Sequence, residues 1–230
     1  MTVPSLLESG EIELLGRMPW SSNHTFLVEV TDGDDCARAV YKPQRGERPL
    51  WDFPPGLHRR ETAAAVLSEA LGWRIVPETV IRDGPLGEGS VQRFVDADFD
   101  QHYFTIYEAG THLDDLRAIC AFDVVANNTD RKSGHCLLGV DGRVYAIDNS
   151  LCFHQQPKLR TVIWEFGGEP VGERLLAGLA RVADEPPEAL RGLLDRDEVE
   201  AVRTRAASLA RRGAFPEAGA GYRHYPWPLV

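Results

Sequence analysis

The sequence predicts a two-lobed α+β protein, an N-terminal antiparallel sheet with one helix followed by a mainly helical C-terminal half. Three observations carry that expectation. Period-two alternation of apolar residues, punctuated by turn residues, dominates the first 95 positions; one run of strong helix formers, Arg59 to Leu71, interrupts it; and after Trp164 apolar residues recur at helical spacing. A change of pattern near Asp96 to Gln101 divides the chain into an expected N-terminal lobe, 1–95, and C-terminal lobe, 96–230. A chain of 230 residues with 43% hydrophobic and 26% charged residues is long enough to bury a core and has ordinary soluble composition.

Glu11 to Arg17 and His24 to Thr31 alternate, and Asp32-Gly33-Asp34-Asp35 supplies turn chemistry before Ala37 to Lys42, so the chain opens with three antiparallel strands. Pro43 to Leu57 is too rich in Pro, Gly and charge to extend a strand and reads as an ordered loop or insertion. In RRETAAAVLSEAL, Ala63, Val66, Leu67 and Ala70 share a stripe, and Gly72 is placed to end the helix. Val76 to Arg82 and Ser90 to Val95 flank the Gly-rich turn DGPLGEG as two more strands. The amphipathic stretch Leu113 to Ala126 runs into NNTDRKSGH, and Cys136 to Val140 and Val144 to Ile147 form a hairpin across Asp141-Gly142. Helices are expected at Glu169 to Ala183, Pro187 to Leu194 and Asp197 to Arg212, and AGAGYRHYPWPLV reads as an extended tail.

A formal net charge of -10 argues against a general affinity for nucleic acid or anionic lipid, both of which require a basic surface. No apolar run is long enough to cross a bilayer, and MTVPSLLESGEIELL lacks a basic segment leading into an apolar core, so a cytoplasmic protein is expected. Cys36, Cys120, Cys136 and Cys152 form no CxxC pair, and His135 and His154 beside two of them match no zinc signature; neither a disulfide framework nor structural zinc is expected.

The sharpest chemical signal is Asn127 to His135, followed after the hairpin by Ala146-Ile147-Asp148-Asn149. Acidic side chains at the two ends of a short hairpin can converge on one point, one orienting a hydroxyl and the other holding a divalent cation, which is the division of labour phosphoryl transfer needs. Taken singly, Asp130 is an ordinary Asx-turn residue and Asp148 an ordinary hairpin-end cap. Their joint occurrence, downstream of a strand ending in Lys42-Pro43 and of a helix bearing Glu61, favours the catalytic reading.

FDVVANNTDRKSGH with YAIDNSLCFH resembles the catalytic and metal-binding segments of phosphoinositide 3-/4-kinase-like proteins, with type II phosphatidylinositol 4-kinases and bacterial HipA-type kinases as the nearest branches. The resemblance covers roughly Glu11 to His154 and implies a bilobal protein-kinase-like fold that binds ATP with Mg2+ or Mn2+ between its lobes. It assigns Asp130 as the catalytic aspartate and Asp148 as the metal-binding one, with Asn149 beside it. It makes Lys42 the ATP-contacting lysine and Glu61 its partner, with Glu69 the alternative. Ser22 and Asn23, in the loop Gly16 to His24, would cover the phosphates; Gln92, Phe94 and Val95 would meet adenine on the strand entering the hinge. One departure stands out: His135 occupies the place, five residues after Asp130, where the family carries a metal-ligating asparagine, and Mg2+ prefers oxygen. Arg131 and Lys132 could steady a phosphate, an acceptor carboxylate or Asp130 itself, with a structural role favoured for at least one.

The function these residues imply is transfer of the γ-phosphate to a hydroxyl acceptor on a protein, small molecule or lipid head group. A nucleotide-binding pseudokinase with a protein partner and a nucleotidyl transferase (AMPylation) are the alternatives.

Overall fold

The computed structural model describes residues 2–19, 23–219 and 224–229. Its first half runs α1 (Val3–Ser9), β1 (Glu11–Arg17), β2 (Phe26–Asp32), β3 (Asp35–Pro43), α2 (Leu57–Ala70), β4 (Thr79–Gly84) and β5 (Gly87–Arg93). Its second half runs β6 (Ala97–Asp98), α3 (Tyr103–Glu108), α4 (Leu113–Ala126), β7 (Cys136–Gly139), β8 (Val144–Ala146), α5 (Glu173–Asp184) and α6 (Arg196–Arg212). The first five strands form one antiparallel sheet in the order β1-β2-β3-β5-β4, and β6-β7-β8 form a second, smaller one.

Alternation along β3 sets what each face of the large sheet does. Ala39 and Tyr41 point one way, into a small core closed by Leu6 and Leu7 of α1 with Val28, Val30 and Val91. Val40 and Lys42 point the other way, toward the second half of the chain. α1 was not foreseen in the sequence: at seven residues, with Pro at its start, it is too short to show a periodicity, and its stability comes from capping this core.

The larger core merges α2 with the helical half. Ala63, Ala64, Leu67 and Leu71 pack in one cluster with Leu116, Ile119 and Phe122 of α4, Leu175 and Leu179 of α5, and Val202 and Leu209 of α6. A buried ion pair reinforces the join: Arg60 Nη2 lies 2.5 Å from Glu198 Oε1, while Arg60 Nη1 donates to the Cys152 carbonyl at 2.6 Å. Glu198 also completes the capping box of α6, accepting the Asp195 N–H, and Gly213 in the left-handed conformation ends that helix.

The 43–57 loop is held at several points. Glu47 accepts the backbone N–H groups of Gly56 and His58 and pairs with the His58 ring, and Lys158 binds Asp52. Phe53 lies between the Arg60 guanidinium and the Lys158 ammonium, each 5.3 Å from its ring centre. Two expectations change. Residues 188–192, read as part of a helix, form a 3-10 turn, since Pro186-Pro187 precede them and Gly192 closes them. The described part of the tail packs on the body, the Leu229 carbonyl accepting the Ser133 N–H at 2.9 Å. Among the described residues no helix is long and apolar enough to cross a membrane.

Candidate active site

Lys42 reaches the space between the two halves from the end of β3, on the face that alternation gives it, with β5 packed closely beside it. Lys42 pairs with Ser90 and Pro43 with Gly89, and a Cβ on Gly89 would stand 2.5 Å from the Lys42 carbonyl oxygen and 2.7 Å from Pro43 Cα. Glycine is therefore required there. The Lys42 ammonium pairs with Glu61 of α2 and lies 2.9 Å from Asp148 Oδ1. Glu61 is buried, and its second oxygen accepts the Asn149 N–H at 3.1 Å, so one carboxylate ties the sheet's lysine to the segment after β8. Glu69, the alternative partner, instead lies exposed against Arg74 at 2.9 Å.

Asp148 adopts φ +55°, a conformation an L-residue holds at a cost of order 1 kcal/mol. This turn sends the Asn149 N–H to Glu61 and leaves the Asp148 carboxylate facing the cleft, half exposed. Asp148 Oδ2 lies 3.5 Å from His135 Nε2. The Lys132 N–H lies 3.4 Å from His135 Nδ1, an arrangement that favours the tautomer with its proton on Nε2, facing Asp148. Asp130 lies 3.2 Å from the Lys132 ammonium. Its own N–H donates to Asn128 Oδ1 at 2.9 Å, so Asn128 plays the Asx-turn part and the Asp130 carboxylate is left for other work.

Sharing one ammonium drives the two carboxylates apart. Lys42 holds Asp148 well below the usual carboxylate range, against the effect of burial, whereas burial, aided by the Asp148 charge, raises Glu61 against the pull of Lys42. Burial opposes the charge on Lys42, but Asp148 and Glu61 together raise its pKa. Burial pushes the His135 imidazole down to about 4, so it is neutral at pH 7, and burial raises Asp130 against the opposing effect of Lys132.

Two cavities meet at Lys42, Asp148 and Thr25. One, about 250 Å³, is walled by Val40, Gln92, Phe94, Val95, Leu137 and Ile147, an apolar slot suited to a planar base. The other, about 240 Å³, is polar and contains Asn23, Arg48, Asp130 and Ser150. The charged groups thus sit between an apolar slot and a chamber that holds Asp130. Asp148 presents the oxygen donors a divalent cation needs. Among the described residues no group of three or more His, Cys, Asp or Glu side chains could hold such an ion, so phosphate oxygens would have to complete its shell.

No family model matches the chain. Protein Rv2133c of Mycobacterium tuberculosis is 41% identical over a 262-residue alignment that covers 97% of this chain and 94% of that protein. The chain belongs to the Rv2133c family. Among solved structures, the Golgi casein kinase with Mn/ADP bound aligns with 99% of this chain and 80% of its own at a TM-score of 0.56 and 16% identity. Hydra Fam20 with sugar aligns with 91% of this chain and 86% of its own at a TM-score of 0.57 and 15% identity. At such identities the likeness is one of fold, and the fold of this Rv2133c-family chain is kinase-like.

Of the residues singled out in the sequence, Lys42, Glu61, Asp130, His135 and Asp148 come together, with Asn23 on the wall of the polar chamber and Gln92, Phe94 and Val95 on that of the apolar slot. The Gln92 amide itself donates to Thr79 Oγ1 at 2.8 Å. Ser22 lies outside the described residues. The Asn149 side chain is fully buried and turned from the cleft: its Oδ1 accepts from Arg131 at 2.6 Å and its Nδ2 donates to the Ala146 carbonyl at 3.1 Å.

Arg131 takes the structural role. Wholly buried, it forks onto Asp123 of α4 with Nη2 2.9 Å away and also donates to the Ile147 carbonyl at 2.8 Å, so one guanidinium joins α4, the Asp130 loop and the Asp148 segment. Asn128 and Thr161 satisfy the rest of the Asp123 carboxylate. The sequence reading missed Asp123. Its signal was a charge on the apolar stripe Leu116, Ile119, Cys120, which places a carboxylate where only a paired one can remain.

Proposed function

We propose that this chain is an ATP- and divalent-metal-dependent phosphotransferase acting on a hydroxyl acceptor. The observation that carries the reading is the Lys42 ammonium held between Glu61 and Asp148 at the junction of an apolar slot and a chamber containing Asp130. In this reading the base occupies the slot, Lys42 neutralises the inner phosphates, and Asp148 holds Mg2+ or Mn2+, which when bound offsets phosphate charge. Asp130 orients the acceptor hydroxyl and takes its proton as the acceptor oxygen bonds to the γ-phosphorus and the bond to the ADP oxygen breaks. Lys132, beside Asp130, steadies its charge. Asn149, engaged by Arg131, is left out of the metal's shell, and His135 would enter it only in its other tautomer. The Mn2+ and ADP in the Golgi casein kinase structure support nucleotide and metal use. The order Lys42, Glu61, Asp130, Asp148 supports a phosphoinositide 3-/4-kinase-type site within the kinase-like fold.

His135 favours a second reading, a nucleotide-binding pseudokinase, because its ring stands where the resemblance calls for a second oxygen ligand. Calorimetry with ATP and Mg2+ or Mn2+ on wild type and Asp148→Asn decides whether the site exists: metal-dependent binding lost in the variant supports it, and no binding under either metal overturns it. Transfer of γ-labelled phosphate that is lost in Asp130→Ala, with ATP affinity retained, separates the kinase from the pseudokinase.

A further inference from the structure

Among the described residues the polar chamber contains one cation that the mechanism above leaves unused. Lys42 is shared by Glu61 and Asp148, and Lys132 is paired with Asp130. Arg48 lines the same chamber, yet no side-chain hydrogen bond or ion pair engages its guanidinium among the described residues. An unpaired arginine on an ordinary solvated surface would need no explanation. Arg48 is itself exposed, but its backbone is fixed and it stands on the wall of the chamber. The Arg48 N–H donates to Asn23 Oδ1 at 3.1 Å, which links it to the loop expected to cover the phosphates. Glu47, the preceding residue, is anchored through the N–H groups of Gly56 and His58 at 3.0 and 2.8 Å. Gly46 lies so close to His24 that an added Cβ would stand 2.5 Å from His24 Cβ. Three consecutive positions are therefore clamped, and the third, exposed Arg48, lines the cavity that holds Asp130 and Asp148 with a guanidinium that has no partner among the described residues.

We propose that Arg48 contacts the terminal phosphate of the bound nucleotide and so makes the site discriminate ATP from ADP. The proposal rests on the phosphotransferase reading and adds to it a group that senses the transferable phosphate. Among the described residues the other charged groups of the chamber occur as opposite pairs, so there Arg48 is the side chain whose charge is available to an incoming anion. A planar fork of N–H donors matches phosphate oxygens, and its attraction strengthens as charge spreads over the transferring group.

The test measures Mn2+-dependent binding of ATP and of ADP to wild type, Arg48→Ala and Arg48→Lys by calorimetry, together with the rate of Mn2+-dependent ATP hydrolysis. Wild type is expected to prefer ATP; Arg48→Ala should lose about tenfold in ATP affinity while ADP affinity stays within about twofold, with Arg48→Lys between the two. Hydrolysis should fall about 100-fold in Arg48→Ala. An equal loss for both nucleotides would make Arg48 a loop support and overturn the proposal, and unchanged binding of both would also overturn it. Matching melting temperatures show that the variant has kept its fold. Should Arg48→Ala melt lower, Arg48→Lys, which keeps the stem and the charge, carries the comparison. If wild type binds neither nucleotide, the phosphotransferase reading fails and this proposal falls with it, an outcome distinct from a variant that binds both alike.

Discussion

Replacing Asp123 with Asn should be among the most damaging single changes available away from the cleft. The Asp123 carboxylate receives the Arg131 Nε and Nη2 groups at 2.9–3.1 Å, the Asn128 amide at 3.1 Å and the Thr161 hydroxyl at 3.1 Å, and both members of the ion pair are fully buried. Breaking a buried pair by removing one partner costs about 3–5 kcal/mol, against a total stability of about 5–15 kcal/mol for a typical domain. The two single variants should differ. Asp123→Asn strands a guanidinium that cannot shed its proton. Arg131→Met leaves a carboxyl that burial already raises and that can take one up. Asp123→Asn should therefore be the worse variant. A folded-state pKa above the unfolded value makes its contribution fade as pH rises, so Arg131→Met should lose less stability at pH 5 than at pH 8. Urea unfolding followed by circular dichroism reads this directly: with a slope of about 2–3 kcal/mol/M, the Asp123→Asn midpoint should drop by about 1–2 M. Asp123→Leu combined with Arg131→Met should regain part of that midpoint, because an apolar pair needs no charge compensation while the Ile147 carbonyl and Asn149 Oδ1 lose their Arg131 donors. A loss below about 1 kcal/mol for Asp123→Asn, or a larger loss for Arg131→Met, would refute the assignment of this pair as the brace beneath the Asp130 and Asp148 segments.

Two further predictions test the cleft itself. Glu61→Gln, which keeps the shape but not the charge that positions Lys42, should slow phosphate transfer about 100-fold, whereas Glu69→Gln, at an exposed site, should leave rate unchanged and stability within about 0.5 kcal/mol; kinetics and thermal melts check both. Because the His135 pKa falls from 6.5 to about 4 on folding, the unfolded chain binds the extra proton between those values, so the metal-free protein should lose stability as pH falls through that window, by as much as about 3 kcal/mol, and His135→Gln should flatten the loss in urea titrations at pH 4.5 and 7.

The sheet and the long helices could be read from the sequence because their signals are local. β1, β3 and α4 need only the alternation or stripe within each segment, and Lys42, Asp130 and Asp148 sit at ends of such elements. What escaped was set by distant parts of the chain. α1 and α3 are too short to show a period, and they are stable because of the surfaces they cover. The inward turn of Asn149 depends on where Arg131 reaches, and the path of Arg131 depends on a charge in α4 that only tertiary packing explains. The choice between Glu61 and Glu69 was likewise a question of which helix face meets the sheet, which the α2 stripe left open.

The join between α2 and the helical half bears on how such a cleft can open. In a kinase-like fold, moving the helix that carries the lysine's glutamate is an effective way to disconnect the ion pair. Here Arg60 fastens that helix to Glu198 and to the Cys152 carbonyl, and its apolar face belongs to the same cluster as α4, α5 and α6. The helix thus serves as part of the floor on which the sheet rests. Swinging it outward would strand a buried guanidinium and open the main core. On the phosphotransferase reading, nucleotide entry would therefore call for the sheet to move over a fixed glutamate rather than for α2 to swing away.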